Sequence, residues 1–192
     1  EMCRQVARYG PARLVLYELG EYALYQIEQQ LSELHPHLPL VRLIGDVKNP
    51  AHLRATFGAY RPQLVLHAAA FKHVPLMEAE NAWAALQNNT LGTWHAALAA
   101  AEAGAERFVL ISTDKAVNPT NVTGATKRAA EMVLSQLASQ GHATRFVAVR
   151  FGNVLGSTGS VIPKFRRQIA AGGPVTVTHP EMRRYFMSIP EA

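Results

Sequence analysis

Short apolar segments alternate with helical segments along almost the whole chain, and this alternation limits the possible folds more than any other feature of the sequence. The predicted strands lie at 14–19, 41–45, 64–69, 107–113, 143–151 and 175–178, and the predicted helices at 21–34, 50–60, 78–103, 122–140 and 160–171. The segment 107–113 has almost no polar interruption, as in a parallel strand buried on both faces. Strands that alternate with helices at this spacing predict an α/β fold with a doubly wound parallel sheet and right-handed crossovers.

The chain opens inside a helical pattern, whereas a nucleotide-binding sheet of this class begins with a central strand and a Gly-rich turn. We therefore expect that strand and turn to lie upstream of Glu1. Gly152, Gly156 and Gly159 have the wrong spacing for such a turn, which favours a loop near a substrate. A sheet without its central strand would divide into two halves with unpaired inner edges, so we predict that the isolated chain binds cofactor poorly and aggregates.

Composition excludes several classes of function. The 192 residues are 48% hydrophobic and 17% charged, which is typical of a soluble globular protein. The net charge is +5, but the basic residues are scattered, so we do not expect nucleic-acid binding. A single cysteine, Cys3, excludes an internal disulfide and agrees with a reducing compartment. No apolar run would span a membrane, no signal peptide opens the chain, and the eight histidines lack the spacing of metal ligands.

Chemically versatile side chains follow the segment 107–113. They are Thr113, Asp114, Lys115, Thr123 and Lys127. The first three stand at the carboxyl end of the predicted strand, where open α/β sheets bind their ligands. The last two are four residues apart and share one face of the next predicted helix.

This set of side chains suits proton transfer at a carbonyl or an alcohol. A lysine that is desolvated or lies near another cation has a lowered pKa and acts as a base. Asp114 would be the partner acid if burial raises its pKa. In the alternative, structural interpretation, Asp114 caps a turn, Lys115 is a solvated loop cation and Lys127 lies on the exposed face of its helix.

Seven motifs extend the pattern over essentially the whole chain. They are Gly-Asp-Val from Gly45, His-Ala-Ala-Ala-Phe-Lys-His-Val-Pro from His67, Asn-Asn-x-x-Gly-Thr from Asn88, Ser-Thr-Asp-Lys-Ala-Val-Asn-Pro from Ser112, Gly-Ala-Thr-Lys from Gly124, Arg-Phe-Gly-Asn-Val from Arg150 and His-Pro-Glu-x-x-Arg-Tyr-Phe-Met from His179. Together they resemble the nucleotide-sugar 4,6-dehydratases of the extended short-chain dehydrogenase/reductase superfamily, in the branch that makes sugars for bacterial capsule, O-antigen and protein glycosylation. The resemblance implies an N-terminally truncated NAD(P)-binding domain of Rossmann type at 1–151. It also implies the beginning of a nucleotide-sugar-binding region at 152–192, truncated at its C-terminal end.

The resemblance further implies a reaction on a tightly held nicotinamide cofactor, NAD or NADP. The sugar C4 hydroxyl is oxidised, water is eliminated across C5 and C6, and the hydride returns at C6. Thr113 would orient the C4 hydroxyl, Asp114 would protonate the departing C6 hydroxyl, and Lys115 would remove the C5 proton. Lys127 would bind the nicotinamide ribose and assist the C4 oxidation.

Thr123 departs from this pattern. Members of the superfamily normally have tyrosine four residues before the lysine, and the large membrane-tethered members of this branch resemble a variant with methionine there. The Thr123 hydroxyl is too basic once deprotonated, and too short, to replace a phenol directly. Either Lys127, a water or another residue carries the C4 proton, or the chain is impaired in oxidation. We favour the first possibility, in which one of these groups carries the C4 proton.

Further positions would contact the cofactor. A carboxylate at Glu18, near the end of the first predicted strand, would accept hydrogen bonds from the adenosine ribose and repel a 2′-phosphate, which favours NAD over NADP. The alternative is an ordinary solvated glutamate. Asn89 would tie its helix to the neighbouring strand end, or else is a buried structural amide. The remaining positions are Asp46 and Val47 against adenine, Ala68, Ala69 and Ala70 where the backbone approaches the cofactor, and Lys72.

The substrate diphosphate would lie near the end of the chain. The positions that resemble the family's contacts are Asn153, Ser157 and Ser160, with Lys164 and Arg184 as charge partners. Arginine suits a phosphate because its planar fork donates paired hydrogen bonds. The alternative makes Lys164 a surface cation.

The predicted function is the NAD(P)-dependent dehydration of a UDP-N-acetylhexosamine, such as UDP-GlcNAc, to a 4-keto-6-deoxy sugar nucleotide for bacterial surface polysaccharide or glycan synthesis. A nucleotide-sugar epimerase is the close alternative, against which the adjacent Asp114 and Lys115 argue. A non-catalytic Rossmann remnant is the second alternative, and Thr123 favours it. We expect a cytoplasmic protein that is a homo-oligomer at full length; any membrane helices upstream would tether it to the cytoplasmic face of the inner membrane.

Overall fold

The structure, a computed structural model, describes residues 1–155, 161–177, 179–181, 183–189 and 191. The helices are α1 (Met2–Arg8), α2 (Glu21–Leu34), α3 (Pro50–Tyr60), α4 (Val74–Glu78), α5 (Ala82–Ala85), α6 (Gly92–Glu102), α7 (Val122–Ser139) and α8 (Val161–Ala170), with a π-helical segment at Leu86–Leu91 and a 3-10 turn at Asp114–Ala116. The strands are β1 (Leu14–Glu18), β2 (Leu40–Ile44), β3 (Leu64–His67), β4 (Arg107–Thr113), β5 (Arg145–Phe151), β6 (Asn153–Val154) and β7 (Phe186–Met187). The alternation of strands and helices agrees with the predicted α/β class.

The main strands form two separate parallel sheets. β1 pairs with β2, with Leu14 opposite Leu40, whereas β4 lies between β3 and β5, with Arg107 opposite Leu64 and Arg145. Within the described residues, β1 has no ladder partner besides β2, and β3 has none besides β4. The predicted division of the sheet into two halves is therefore confirmed.

The larger hydrophobic core packs one face of the three-stranded sheet against α3, α6 and α7. Phe108 and Leu110 of β4 are fully buried there, together with Leu53 of α3 and Leu134 of α7. Burying a side chain of this size contributes about 1.5–3 kcal/mol. After the exposed Arg107, the residues on the opposite face of β4 are only half-buried. The prediction of a strand buried on both faces is therefore wrong, because the helices of this core cover one face only.

The two-stranded sheet has a smaller core of its own, built from Ala7 of α1, Leu16 of β1 and Leu24 and Leu31 of α2. Packing contacts join it to the rest of the molecule. Helix α3, which follows β2, packs against α6. Tyr17 of β1 packs against the larger core. The halves are thus connected by packing rather than by a shared ladder.

The prediction of one continuous helix at 78–103 is wrong in its first part. A turn at 79–81 separates α4 from α5, and helical structure then continues through the π-helical segment into α6. The π-helical segment buries the polar side chains of Asn88, Asn89 and Thr90. Wider turns of this kind are frequent at functional sites. The sequence pattern misses it because a nearly continuous helical periodicity runs across it.

Two predicted strands also differ from the structure. The strand predicted at 64–69 ends at His67, so 68–70 lie in a loop. Residues 175–177 of the strand predicted at 175–178 are not in a strand, and residue 178 lies outside the described residues. Val175 and Val177 are exposed, and an extended segment becomes a strand only where a partner ladder takes its hydrogen bonds. The short β7 pairs with β6 instead.

Candidate functional site

The predicted catalytic residues after β4 lie together at the carboxyl end of that strand. The Thr113 hydroxyl donates to the Asp114 carboxylate at 2.9 Å and accepts from the Lys115 backbone N–H at 3.3 Å. The Lys115 amine donates to the Asp114 carboxylate at 3.2 Å and contacts the side-chain oxygen of Asn153 at 3.5 Å. All four residues are half-buried. The structure thus brings a predicted substrate contact, Asn153, to the predicted acid and base.

Asp114 is a carboxylate in this arrangement. Burial alone would raise its pKa, but hydrogen bonds from Thr113 and Lys115 and the charge of Lys115 outweigh burial and lower the pKa. The expectation that burial raises the pKa of Asp114 is therefore wrong. The interpretation of Lys115 as a solvated loop cation also fails, because its amine is engaged and its side chain is about three-quarters covered, at 26% exposure.

Lys127 lies on the buried face of α7. It is 5% exposed, and its amine donates to the backbone carbonyl of Ile111 in β4 at 2.8 Å. The alternative that places it on the exposed face of the helix is therefore wrong. Burial lowers its pKa to about 8, while the negative charge of Glu131 acts in the opposite direction. An amine with this pKa can exchange a proton near neutral pH.

Thr123 lies one turn before Lys127 and is also buried, as the four-residue spacing predicts. Its hydroxyl is one of two buried side-chain polar atoms without a hydrogen-bond partner in the described part of the chain. Leaving a buried hydroxyl unsatisfied costs about 1–3 kcal/mol. The hydroxyl is therefore available to a ligand or a water at this site.

Close packing sets the start of α7 against the 3-10 turn. The Asn121 side chain caps the helix by accepting from the Gly124 N–H at 2.8 Å. A Cβ atom at Gly124 would lie 2.3 Å from the carbonyl oxygen of Lys115, which no side chain tolerates. Glycine at this position therefore allows Lys127 to approach the residues after β4.

Glu131 is a buried acid that the sequence analysis missed. Its carboxylate accepts from Ser112 of β4 at 2.7 Å, from Arg150 of β5 at 2.9 and 2.6 Å, and from Arg128 at 3.1 Å. Hydrogen bonds from Arg150 are the largest cause of a pKa lowered to about 2, against the opposing effect of burial. The available signal was an acid four residues after Lys127, on the buried face of the helix.

His67, at the end of β3, is a second residue whose environment the sequence did not indicate. Its Nε2 lies 3.0 Å from the hydroxyl of Thr93, which itself donates to the Asn89 carbonyl at 2.7 Å. The hydroxyl therefore accepts from Nε2–H. Burial, and then the charge of Lys127, lower the pKa of His67 to about 3, so the ring is neutral.

The predicted adenosine contacts lie at the ends of β1 and β2. The Glu18 carboxylate is exposed and accepts from the Gly20 N–H at 2.9 Å. Asp46 is half-buried and accepts from the backbone and amine of Lys48 at 2.8 and 2.9 Å. Val47 is buried and packs closely against Gly92, where an added Cβ atom would lie 2.7 Å from the valine side chain. The hydrogen bonds of Glu18 and Asp46 are therefore local to their own turns.

The loop after β3 carries the remaining predicted cofactor contacts. Ala68 and Lys72 are exposed, and Ala69 and Ala70 are half-buried. Asn89 holds this loop: its oxygen accepts from the Phe71 N–H at 2.8 Å, and its amide donates to the Phe71 carbonyl and to Thr126, both at 3.1 Å. Asn89 therefore ties its helical segment to the strand end, as predicted, and positions the loop.

The predicted substrate contacts are distributed more widely. Both the backbone N–H and the side-chain amide of Asn153 donate to the Tyr185 carbonyl, at 3.0 and 3.1 Å, which places Asn153 beside the segment that contains Arg184. Arg184 is exposed, as is Lys164 on α8. Ser157 and Ser160 lie outside the described residues.

The part of the chain that the structure describes contains no cluster of three His, Cys, Asp or Glu side chains placed to hold a metal ion. None of its helices combines the length and the apolar character needed to cross a membrane.

The sequence matches the family described as polysaccharide biosynthesis protein over residues 1–192. It is 54% identical over 193 residues to the capsular polysaccharide biosynthesis protein CapD of Staphylococcus aureus, covering 100% of this chain and 32% of that protein. It is 34% identical over 185 residues to the UDP-N-acetylglucosamine 4,6-dehydratase (inverting) of Campylobacter jejuni subsp. jejuni serotype O:2, covering 94% of this chain and 53% of that protein. The chain thus spans about a third to a half of the length of these relatives.

A solved structure shows the same fold. The DesIV double mutant, a dTDP-glucose 4,6-dehydratase from Streptomyces venezuelae with NAD and DAU bound, superposes with a TM-score of 0.81 at 20% identity. The match covers 97% of this chain and 63% of that one. The predicted Rossmann-type α/β class is confirmed.

Proposed function

Because this chain belongs to the polysaccharide biosynthesis protein family, we propose that its protein dehydrates a UDP-N-acetylhexosamine, with UDP-GlcNAc as the first substrate to test, to a 4-keto-6-deoxy sugar nucleotide. One observation carries this proposal above the others. The Asp114 carboxylate and the Lys115 amine lie 3.2 Å apart at the carboxyl end of β4, on a turn that packs against the helix carrying the buried Lys127. Elimination of water needs an acid and a base close together, whereas epimerisation at C4 does not.

The acid and base roles follow from transfer of one proton between these two residues. In the ion pair, Lys115 holds the proton that Asp114 needs. A sugar ring that covers the pair expels water and favours its neutral form, so the proton moves from the Lys115 amine to the Asp114 carboxylate. Asp114 then protonates the departing C6 hydroxyl, which leaves as water, and Lys115 takes the C5 proton. Thr113, whose hydroxyl donates to Asp114, would orient the C4 hydroxyl.

The described residues fit a nicotinamide dinucleotide, which supplies hydride acceptance from C4 and hydride return to C6 when bound. Glu18 offers an exposed carboxylate to a ribose at the end of β1, and 68–70 offer a backbone bordered by small side chains at the end of β3. The buried hydroxyl of Thr123, one turn before Lys127, has no hydrogen-bond partner among the described residues and offers one to a bound ligand. NAD is our choice over NADP because the Glu18 carboxylate would repel a 2′-phosphate.

Lys127 is our candidate for the proton of the C4 hydroxyl. A pKa of about 8 leaves its amine able to accept that proton near neutral pH, which an ordinary lysine does poorly. Thr123 is too weak an acid to replace a phenol, and in this proposal its hydroxyl only orients the C4 hydroxyl or a water. In this proposal, the full-length protein is active without a tyrosine four residues before the lysine.

The sugar nucleotide would lie across the junction of two regions. We keep 1–151 as the cofactor-binding part and 152–192 as the beginning of the nucleotide-sugar-binding part, with β5 ending at Phe151. In support, β6 and β7 form a separate small sheet, and α8 buries none of its residues. Diphosphate contacts are assigned to Asn153, Ser157, Ser160, Lys164 and Arg184. The reaction belongs in the cytoplasm and in a homo-oligomeric full-length protein.

Mass spectrometry of UDP-GlcNAc incubated with a form extended at both ends tests the proposal. We expect a product lighter by one water, abolished in Lys115→Ala and Asp114→Asn and retained in Arg54→Ala, which removes an exposed ion pair with Glu102. An isomer of unchanged mass would favour the epimerase. Cofactor binding without turnover would favour the non-catalytic remnant.

A further inference from the structure

A single buried carboxylate links three elements of the candidate site. Glu131 is 6% exposed and accepts four hydrogen bonds, from Ser112 on β4, from two nitrogens of Arg150 on β5, and from Arg128 on its own helix. The two bonds from Arg150 form a fork that restrains the angle of the carboxylate as well as its distance. The carboxylate therefore holds α7 against both strands.

These attachments lie next to the residues to which we assign chemistry. Ser112 immediately precedes Thr113, Arg150 lies three residues before Asn153, and Lys127 is one helical turn before Glu131. Building on the proposed function, we propose that Glu131 is a positioning residue, whose carboxylate fixes α7, β4 and β5 where they present the groups that act on the sugar.

The alternative is a structural ion pair with no effect on the site. The surface pair between Arg54 and Glu102 illustrates it, since both side chains are about half exposed and only one bond joins them. Glu131 differs because its carboxylate is withdrawn from water and three of its four donors come from the strands that end at the site. Removing the carboxylate would leave Ser112 and Arg150 without their partner there.

The charge of Glu131 gives a second readout, which tests whether the carboxylate also acts on the Lys127 amine. The titratable groups that interact with the Lys127 amine are Glu131 on α7 and His67 on β3, while Arg128 and Arg150 pair with Glu131 itself. His67 is neutral near pH 7. Glu131 supports the protonated form of Lys127 against burial, so loss of its charge lowers the pKa of Lys127 below its value of about 8.

The test is a pH titration of the lysine side-chain carbons by NMR, in the extended form used for the activity assay, with the Lys127 signal assigned from Lys127→Arg. We expect Glu131→Gln to move the Lys127 midpoint to lower pH and to reduce turnover about 100-fold, as misplacement by about 1 Å does. Glu102→Gln is the matched control, and it should change neither quantity. An unchanged midpoint together with unchanged turnover in Glu131→Gln would overturn the proposal.

A second variant separates position from charge and serves also if Glu131→Gln does not fold. Ser112→Ala removes one bond and keeps every charge, so we expect about a tenfold fall in turnover with the Lys127 midpoint unchanged. Full turnover in Ser112→Ala would contradict positioning. If the unsubstituted protein does not dehydrate UDP-GlcNAc, the proposed function fails. The positioning inference is then decided by the backbone amide NMR signals of Thr113 and Asn153, which Glu131→Gln and Ser112→Ala should move and Glu102→Gln should not.

Discussion

The polar side chains of the proposed site are held differently in the two halves of the molecule. In the three-stranded half, the partners of Glu131 on the strands and those of Asn89 on the β3 loop and α7 lie 18 to 37 positions away along the chain. In the two-stranded half, Glu18 and Asp46 accept hydrogen bonds from residues only two positions further on. A long-range bond fixes a side chain relative to the whole fold, whereas a local bond fixes it only within its own turn. The side chains at the proposed catalytic site are therefore preorganised by the whole fold, whereas the Glu18 and Asp46 carboxylates are held only within their own turns.

Replacing Asn89 with alanine should have the largest effect on folding. It removes partners from the Phe71 backbone, Thr126 and Asn88, so we expect a loss of about 3 kcal/mol in the free energy of unfolding. The matched control is Asn49→Ala, which removes only the exposed cap of α3, a bond of 3.1 Å to the His52 N–H, and should cost about 1 kcal/mol. Urea unfolding measures both. Equal losses would contradict the contrast between long-range and local bonds.

Gly124→Ala tests the close approach of α7 to the 3-10 turn. The new Cβ atom would collide with the Lys115 carbonyl, so we expect a loss of about 1–3 kcal/mol in stability together with reduced turnover. Gly58→Ala is its control, because a Cβ atom there has no neighbour within 4 Å and the position is inside α3. That substitution should stabilise the protein by about 0.4–1 kcal/mol in the same urea experiment. A stabilised Gly124→Ala variant would show that the helix can withdraw from the turn without cost.

The order of elements was predictable from the sequence because periodicity and turn residues are local signals. The bounds of α2, α3 and β4 agree with the predicted segments to within a residue. The helix across 79–91 was not predicted correctly, since neither a break nor a π turn changes the apolar pattern enough. The burial of only one face of β4 was also missed, because it depends on which helices cover the strand rather than on the strand itself.

The candidate site was predictable in its residues but only partly in its electrostatics. The positions of Asp114, Lys115 and Lys127 followed from a strand end and a helical spacing. The lowered pKa of Asp114 could not be predicted in this way, because it arises from hydrogen bonds and a neighbouring charge that outweigh burial. Glu131 was missed altogether, since its role arises only when α7 lies across Ser112 and Arg150.

The pH dependence of stability should also originate in the three-stranded half. The pKa of His67 is about 3 in the folded protein and about 6.5 unfolded, so the unfolded chain binds more protons between these values. Stability is therefore fully present above pH 6.5 and is lost as the pH falls towards 3. Between pH 7.5 and 5.5 we expect a loss of about 1.4 kcal/mol from this residue.

The substitution His67→Gln should remove that loss, whereas His37→Gln, at an exposed position, should leave it in place. Urea unfolding at the two pH values measures the difference. The window is specific to His67, because Glu131, with its pKa lowered from 4.5 to about 2, contributes only in more acidic solution. The same pH dependence in both variants would mean that the buried histidine is not the source.

Glu18→Gln should have the smallest effect on folding and the clearest effect on cofactor choice. Its carboxylate is exposed and bonds only the Gly20 N–H, so stability should change by less than about 0.5 kcal/mol. Loss of the negative charge removes the repulsion of a 2′-phosphate, so we expect the affinity for NADP relative to NAD to rise about tenfold. Isothermal titration of the extended form with each cofactor measures this ratio, with Glu33→Gln on the exposed surface of α2 as the control. An unchanged ratio would remove Glu18 from the adenosine site and leave the two-stranded half without an assigned ribose contact.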